Sequence, residues 1–152
     1  MASTNNVIVG PATLSVDGSD VGFTQDGVAV RNEREYVDVV ADQIVGKIKK
    51  AKSLEAMFVK TTLLEATTEN LYIAWDLPDG SLGAGFGNLS IEREIVVVGP
   101  APVGLTRTYT FYRAVSIGNS EVMYSREAPV AVELEFEVLK NSLGKFGTMI
   151  DA

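Results

Sequence analysis

The sequence predicts a mainly β domain with one short helix packed on it. Three observations carry this. The run PVAVELEFEVL holds strict two-residue alternation, with Val130, Val132, Leu134, Phe136 and Val138 on one face and Glu133, Glu135 and Glu137 on the other. Glycine, proline and aspartate cut the rest of the chain into strand-length pieces. Only one stretch, 67–77, shows helical spacing.

The chain is organised around 54–77, LEAMFVKTTLLEATTENLYIAWDL. Met57, Phe58, Val59, Leu63 and Leu64 put apolar groups on both faces of a strand, as burial on two sides or a subunit contact requires. Thr67 or Thr68 can then cap a helix, with Glu69 in its first turn, where a carboxylate suits the helix dipole. Leu71, Ala74 and Trp75 follow at helical spacing, and Pro78-Asp79-Gly80 stops the run. Trp75 is the expected anchor of this helix on the sheet.

Taken in order, residues 1–10 read as a flexible N-terminal arm ending at Gly10-Pro11. Ala12 to Phe23 reads as a hairpin turning at Asp17-Gly18-Ser19-Asp20, with Val21 to Phe23 as the return strand. Asp17 and Asp20 supply too few oxygens for Ca²⁺, and a β-turn accounts for them. After a turn at Gln25-Asp26-Gly27, a strand runs from Val28 to about Val40 and becomes charged at Arg31, Glu33, Arg34, Glu35 and Asp38. One of its faces must meet water or a charged neighbour. Residues 41–53 read as a long hairpin loop carrying Gly46 and the lysines Lys47, Lys49, Lys50 and Lys52. This basic loop is either a solvated tip or a docking loop for an acidic partner.

The stretch 80–87, GSLGAGFG, lacks the Lys-Ser/Thr that a phosphate loop needs and reads as a mobile loop. Strands follow at Leu89–Val98, Thr106–Ile117 and Glu121–Tyr124, before the alternating run that ends at Leu139. On the second of these, Tyr109, Phe111, Val115 and Ile117 are expected to share one face. Residues 141–152 are expected to form a loose C-terminal arm.

Composition narrows the function. The 152 residues suit a single domain, and the 46% hydrophobic content is that of a folding chain. There is no cysteine and no histidine, which removes thiolate metal sites, the commonest general base and the commonest transition-metal ligand. No cofactor is expected. The net charge of −7 argues against tight non-specific binding to nucleic-acid phosphates. The start MASTNNVIVGPA has no basic segment or apolar run, so no signal peptide is expected. No stretch approaches the ~20 apolar residues of a membrane helix. No catalytic constellation stands out, and the residues alone reach an acidic β-domain that is not expected to be an enzyme.

Several segments, in their order, resemble the major tail tube proteins of long-tailed bacteriophages and related injection machines. They are GPATLSVDGSDVGFTQDGVAV, RNEREYVDVVADQ, TLLEATTENLYIAWDL, TFYRAVSIGNSEVMYSREAPVAVELEFEVL and GKFGTMID. The resemblance spans nearly the whole chain. It implies a β-sandwich or split barrel with one flanking α-helix, whose inner sheets join between subunits into a continuous tube barrel. It implies hexameric rings that stack, a channel through which double-stranded DNA passes without specific binding, and a virion location after synthesis in the host cytoplasm. The implied partners are further copies, a tape-measure protein, and tail tip and terminator proteins.

On that reading Glu33, Glu35, Glu133, Glu135 and Glu137 are candidates to line the channel. Bulk water would accommodate them equally well. Gly46, Lys47, Lys49, Lys50 and Lys52 are candidates for contact with the next ring. The rival readings are a free-standing β-sandwich binding module, such as an adhesin or sugar-binding domain, and an unrecognised enzyme.

Overall fold

The computed structural model describes residues 2–77, 86 and 89–152. The Pro78-Asp79-Gly80 stop and all of the glycine-rich loop except Phe86 lie outside the described residues. Among those described, the elements are β1 (Thr13–Val16), β2 (Ser19–Asp20), β3 (Thr24–Val40), β4 (Lys47–Leu63), α1 (Thr68–Ala74), β5 (Arg93–Pro100), β6 (Thr106–Ser116), β7 (Val132–Leu139) and β8 (Gly147–Asp151). The strands form one antiparallel sheet in the order β2-β1-β5-β6-β7-β4-β3, with β8 also on β6. The sheet is open. It wraps one core, because β1 and β5 from one end and β4 and β7 from the other all bury side chains in the same cluster. A mainly β, sandwich-like fold with one flanking helix is thus what forms.

The first hairpin turns on two residues. Asp17 (φ 50°) and Gly18 (φ 83°) both take left-handed backbone, as a type I′ turn demands. The return strand is only Ser19–Asp20, not Val21 to Phe23. There Asp20 Oδ1 accepts the Gly22 N–H at 2.8 Å, and the chain turns away with Val21 buried. The expected turn at Asp26-Gly27 is a bulge inside β3, which lets the strand start earlier, at Thr24. The hairpin loop is confined to 41–46. Lys47 to Ser53, assigned to the loop by their charge, extend β4 instead, because strand pairing is a backbone property that exposed lysines do not oppose.

β6 departs from simple alternation. Arg93 pairs with Ala114 but Ile95 with Phe111, so β6 carries one extra residue there. The bulge reverses which side chains face inward. Phe111 and Ala114 are both buried, whereas Ile117 is exposed and does not share the Phe111 face. The strand expected at Glu121–Tyr124 is reduced to one bridge, Val122 to Val132. β7 alternates as its sequence requires, with Val132, Leu134, Phe136 and Val138 all buried.

The helix is capped by Thr67, whose side chain accepts the Asn70 N–H. Its deepest residues are Asn70, Ile73 and Ala74. The Asn70 amide donates to the carbonyls of Val21 (2.8 Å) and Glu65 (2.7 Å), fastening the helix start to two neighbouring segments. Trp75 packs against the core but stays half-buried, its Nε1 donating to the Ser120 carbonyl at 3.4 Å. It anchors the helix less than the expectation had it. Trp75→Ala is therefore expected to cost about 2 kcal/mol in urea unfolding, below the ~3–5 of a fully buried aromatic. A loss above that upper value would return Trp75 to the role of main anchor.

The C-terminal segment is not a loose arm. Residues 147–151 form β8, paired with β6 from Phe111↔Gly147 to Arg107↔Asp151. A Cβ on Gly147 would lie 2.0 Å from the Thr110 carbonyl oxygen, so only glycine allows this close approach. Sequence pattern misses β8 because the strand is short and its apolar residues, Met149 and Ile150, are adjacent and exposed, so no two-residue alternation shows. Arg107 closes the strand with two donations to the Asp151 carboxylate, at 2.6 and 2.8 Å. These bonds hold the Asp151 carboxyl below its usual range. A depressed carboxyl stabilises above its ordinary pKa and stops doing so as pH falls through the lowered value. Amides 148–151 are thus expected to lose hydrogen-exchange protection in acid before the β4–β7 amides do. Uniform loss across both pairs would refute this.

Candidate assembly surfaces

The five channel candidates fall together on the solvent side of the sheet. β7 pairs Glu133, Glu135 and Glu137 with Thr62, Lys60 and Phe58 of β4, and β3 sets Arg31 and Glu33 beside Phe58 and Ala56. Alternation places all of these on the face opposite the core. Glu35 continues the row toward the hairpin. The row is not purely acidic. Arg31 Nε lies 3.1 Å from Glu33, its Nη2 lies 3.9 Å from Glu135, and its guanidinium sits 4.7 Å above the Phe58 ring. Lys60 pairs with Ala29 on one side and Glu135 on the other. The face is a mosaic in which acidic groups outnumber basic ones.

The ring-contact candidates lie on the far half of the β3–β4 hairpin. β7 begins pairing with β4 only at Met57, so residues 33–40 of β3 and 47–56 of β4 project beyond the third strand. At 3.3 Å per residue that is roughly 25–30 Å of free-standing hairpin. Extra residues in β4 opposite Glu35/Tyr36 and Val39/Val40 split the lysines between faces. Lys49 pairs with Val39 on the face that carries Glu33. Lys47, Lys50 and Lys52 lie on the other, where Lys47 and Lys50 reach Asp38 at 2.8 and 3.6 Å. Lys52 donates to Glu55, and that bond holds the Glu55 carboxyl below its usual range. Gly46 closes the loop, beside the exposed Ile44 and Val45. Val37, Val39, Val40 and Leu54 add exposed apolar surface along the arms.

β3 is also the end strand of the sheet. Among the described residues its outer backbone edge runs the full 17 residues without a partner strand. Edges this long are normally covered or blunted.

Among the described residues, three buried polar side chains escaped the sequence reading: Thr61, which donates to the Gly27 carbonyl at 2.9 Å, Asn70, and Arg93, placed by pattern in an apolar strand. Its side chain is 1% exposed and lies 3.6 Å from Asp76 and 3.8 Å from Asp17. It donates to the carbonyl of Leu77 at 3.0 Å and, at longer range, to that of Tyr72, so it closes the C-terminal end of α1. Burial pushes the Asp76 carboxyl above its usual range, and Arg93 opposes the shift. Asp17 also accepts the Glu94 N–H at 2.9 Å, so a turn role occupies the carboxylate weighed above as a calcium ligand. A charged residue beside an apolar run was the only available signal for Arg93.

No protein-family model matches the chain, and no curated protein matches it. Among solved structures it is similar to a chain in the cryo-EM structure of the anti-feeding prophage (AFP) baseplate, 6-fold symmetrised. The TM-score is 0.50 at 11% identity, with 100% of this chain and 97% of that chain covered. At that identity the likeness is one of fold, and it extends along the whole chain.

Proposed function

We propose that the chain is a non-enzymatic structural subunit of a phage-tail-like tube, forming hexameric rings that stack around a channel. The observation that carries this reading is the shared fold with a chain of the anti-feeding prophage baseplate over 100% of this chain. The bare β3 edge supports it, since joining sheets between copies covers edges that the monomer leaves open. On this reading the mosaic face carrying Glu33, Glu35, Glu133, Glu135 and Glu137 lines the channel. Its net negative charge keeps DNA from adhering as it passes. The projecting hairpin, with Gly46 and its lysines, meets the next ring. Tape-measure, tip and terminator proteins are the partners, and the assembled particle is the location.

Negative-stain microscopy of the purified chain tests this. Hollow rings or tubes with six-fold cross-sections are expected. A chain that stays monomeric at every concentration and salt, and is captured by a glycan array, would instead be a binding module.

A further inference from the structure

The two ends of the β3–β4 hairpin carry opposite charge around apolar centres. At the tip, exposed Ile44 and Val45 are rimmed by Lys47, Lys49, Lys50 and Lys52, against Asp38, Asp42 and the Glu55 that bonds Lys52. At the other end, on the order of 50 Å away at strand rise, Phe23 stands 74% exposed beside Leu64. Around it lie Asp20, Asp26, Glu65 and Glu69. Strand register and local bonds gather them: Leu64 donates to the Phe23 carbonyl, Thr24 pairs with Leu63, and Asn70 joins Val21 to Glu65. No lysine or arginine occurs between residues 10 and 30 or between 61 and 92.

We infer that the acidic end around Phe23 is the receptor for the basic hairpin tip of a second copy. The inference rests on the stacked-ring reading and names the surface that accepts the hairpin there. Each end has an apolar centre with a charged rim, the composition of a protein–protein contact, and the rims are of opposite sign. Because tip and receptor are different surfaces at opposite ends of one hairpin, the contact is head-to-tail and repeats without closing on itself. Charges at the rim set the rate and register of docking, and salt weakens them.

A charge exchange tests the inference. Lys49→Glu with Lys50→Glu at the tip, and Glu65→Lys with Glu69→Lys at the receptor, are made separately and then in one chain. Far-UV circular dichroism confirms folding of each. Sedimentation and microscopy at low salt are expected to show loss of assembly, at least tenfold, in each separate variant and its return in the combined one. Mixing the two separate variants should restore growth as an alternating assembly, since the tip of each is then opposite in charge to the receptor of the other. Independently, zero-length carbodiimide cross-linking of the unmodified chain should join Lys49 or Lys50 of one copy to Glu65 or Glu69 of another.

Assembly that survives either separate reversal overturns the inference. So does a combined chain that stays dispersed, or an unmodified chain that neither self-associates nor cross-links at these residues. Six-fold tubes that ignore both reversals would leave the tube reading standing and remove this receptor. Charge-exchanged fibres without a hollow six-fold section would do the opposite.

Discussion

Arg93→Met is expected to lower the unfolding free energy by about 3–5 kcal/mol, the usual loss when one partner of a buried ion pair is removed. For a chain of this size the thermal midpoint should fall on the order of 10 °C. The methionine fills the volume but leaves the Leu77 carbonyl without its donor and the Asp76 carboxylate without its nearest cation. The loss should depend on pH. Burial already raises the Asp76 carboxyl, and Arg93 restrains that rise. An acid raised on folding stabilises below its ordinary pKa, and this contribution disappears as pH climbs through the raised value. Without Arg93 the rise is larger, so the deficit should be greatest at pH 7 and shrink as pH falls toward the ordinary aspartate range. Urea unfolding at pH 7 and pH 4.5 measures both. A deficit below 1 kcal/mol, or one that grows in acid, would show that the cluster does not hold the helix end.

Phe136→Ala is expected to cost a similar ~3–5 kcal/mol, for a different reason. Phe136 is 1% exposed at the centre of β7, between Val59 of β4 and Ser116 of β6. Its removal leaves a cavity that neighbours on two strands cannot fill without moving. The adjacent Glu135→Ala, on the opposite face, should change stability by only about 0.5 kcal/mol, as surface substitutions usually do. If Glu135→Ala cost as much as Phe136→Ala, the assignment of faces on β7 would be wrong.

Those two residues show what sequence pattern reveals. Phe136 was legible because β7 alternates without interruption, and alternation is a direct image of a two-faced sheet. The capped helix at Thr67 was legible for the same kind of reason, a local rule with a local cause. Arg93 was not, because its partners, Asp17 and Asp76, are distant in sequence and only folding brings them together. The Phe111–Ala114 irregularity was hidden because one extra residue shifts phase without changing composition. The lysines at 47–52 show the limit of reading charge as loop: their backbone pairs while their side chains stay in water. Spacing groups the candidate glutamates on one face, as the strand register does, but Arg31 and Lys60, which interleave with them, come from neighbouring strands that spacing within β7 does not report.

The strand order sets a sequence of events in time. β3 and β4 are joined by a short loop, so their pairing needs little chain closure and can form soon after synthesis of residue 63. β1 must wait, since it pairs Thr13 with Val98 and Val16 with Ile95, and among the described strands its one other partner is the two-residue β2. Long-range closure of this kind is the slow step in β folding. During the wait, the nascent chain presents a hairpin with both edges open and its apolar face uncovered. Pulse-labelled hydrogen exchange should show amides of β3 and β4 protected well before those of β1, and the interval between them is the window in which newly made chains are most prone to stick to one another.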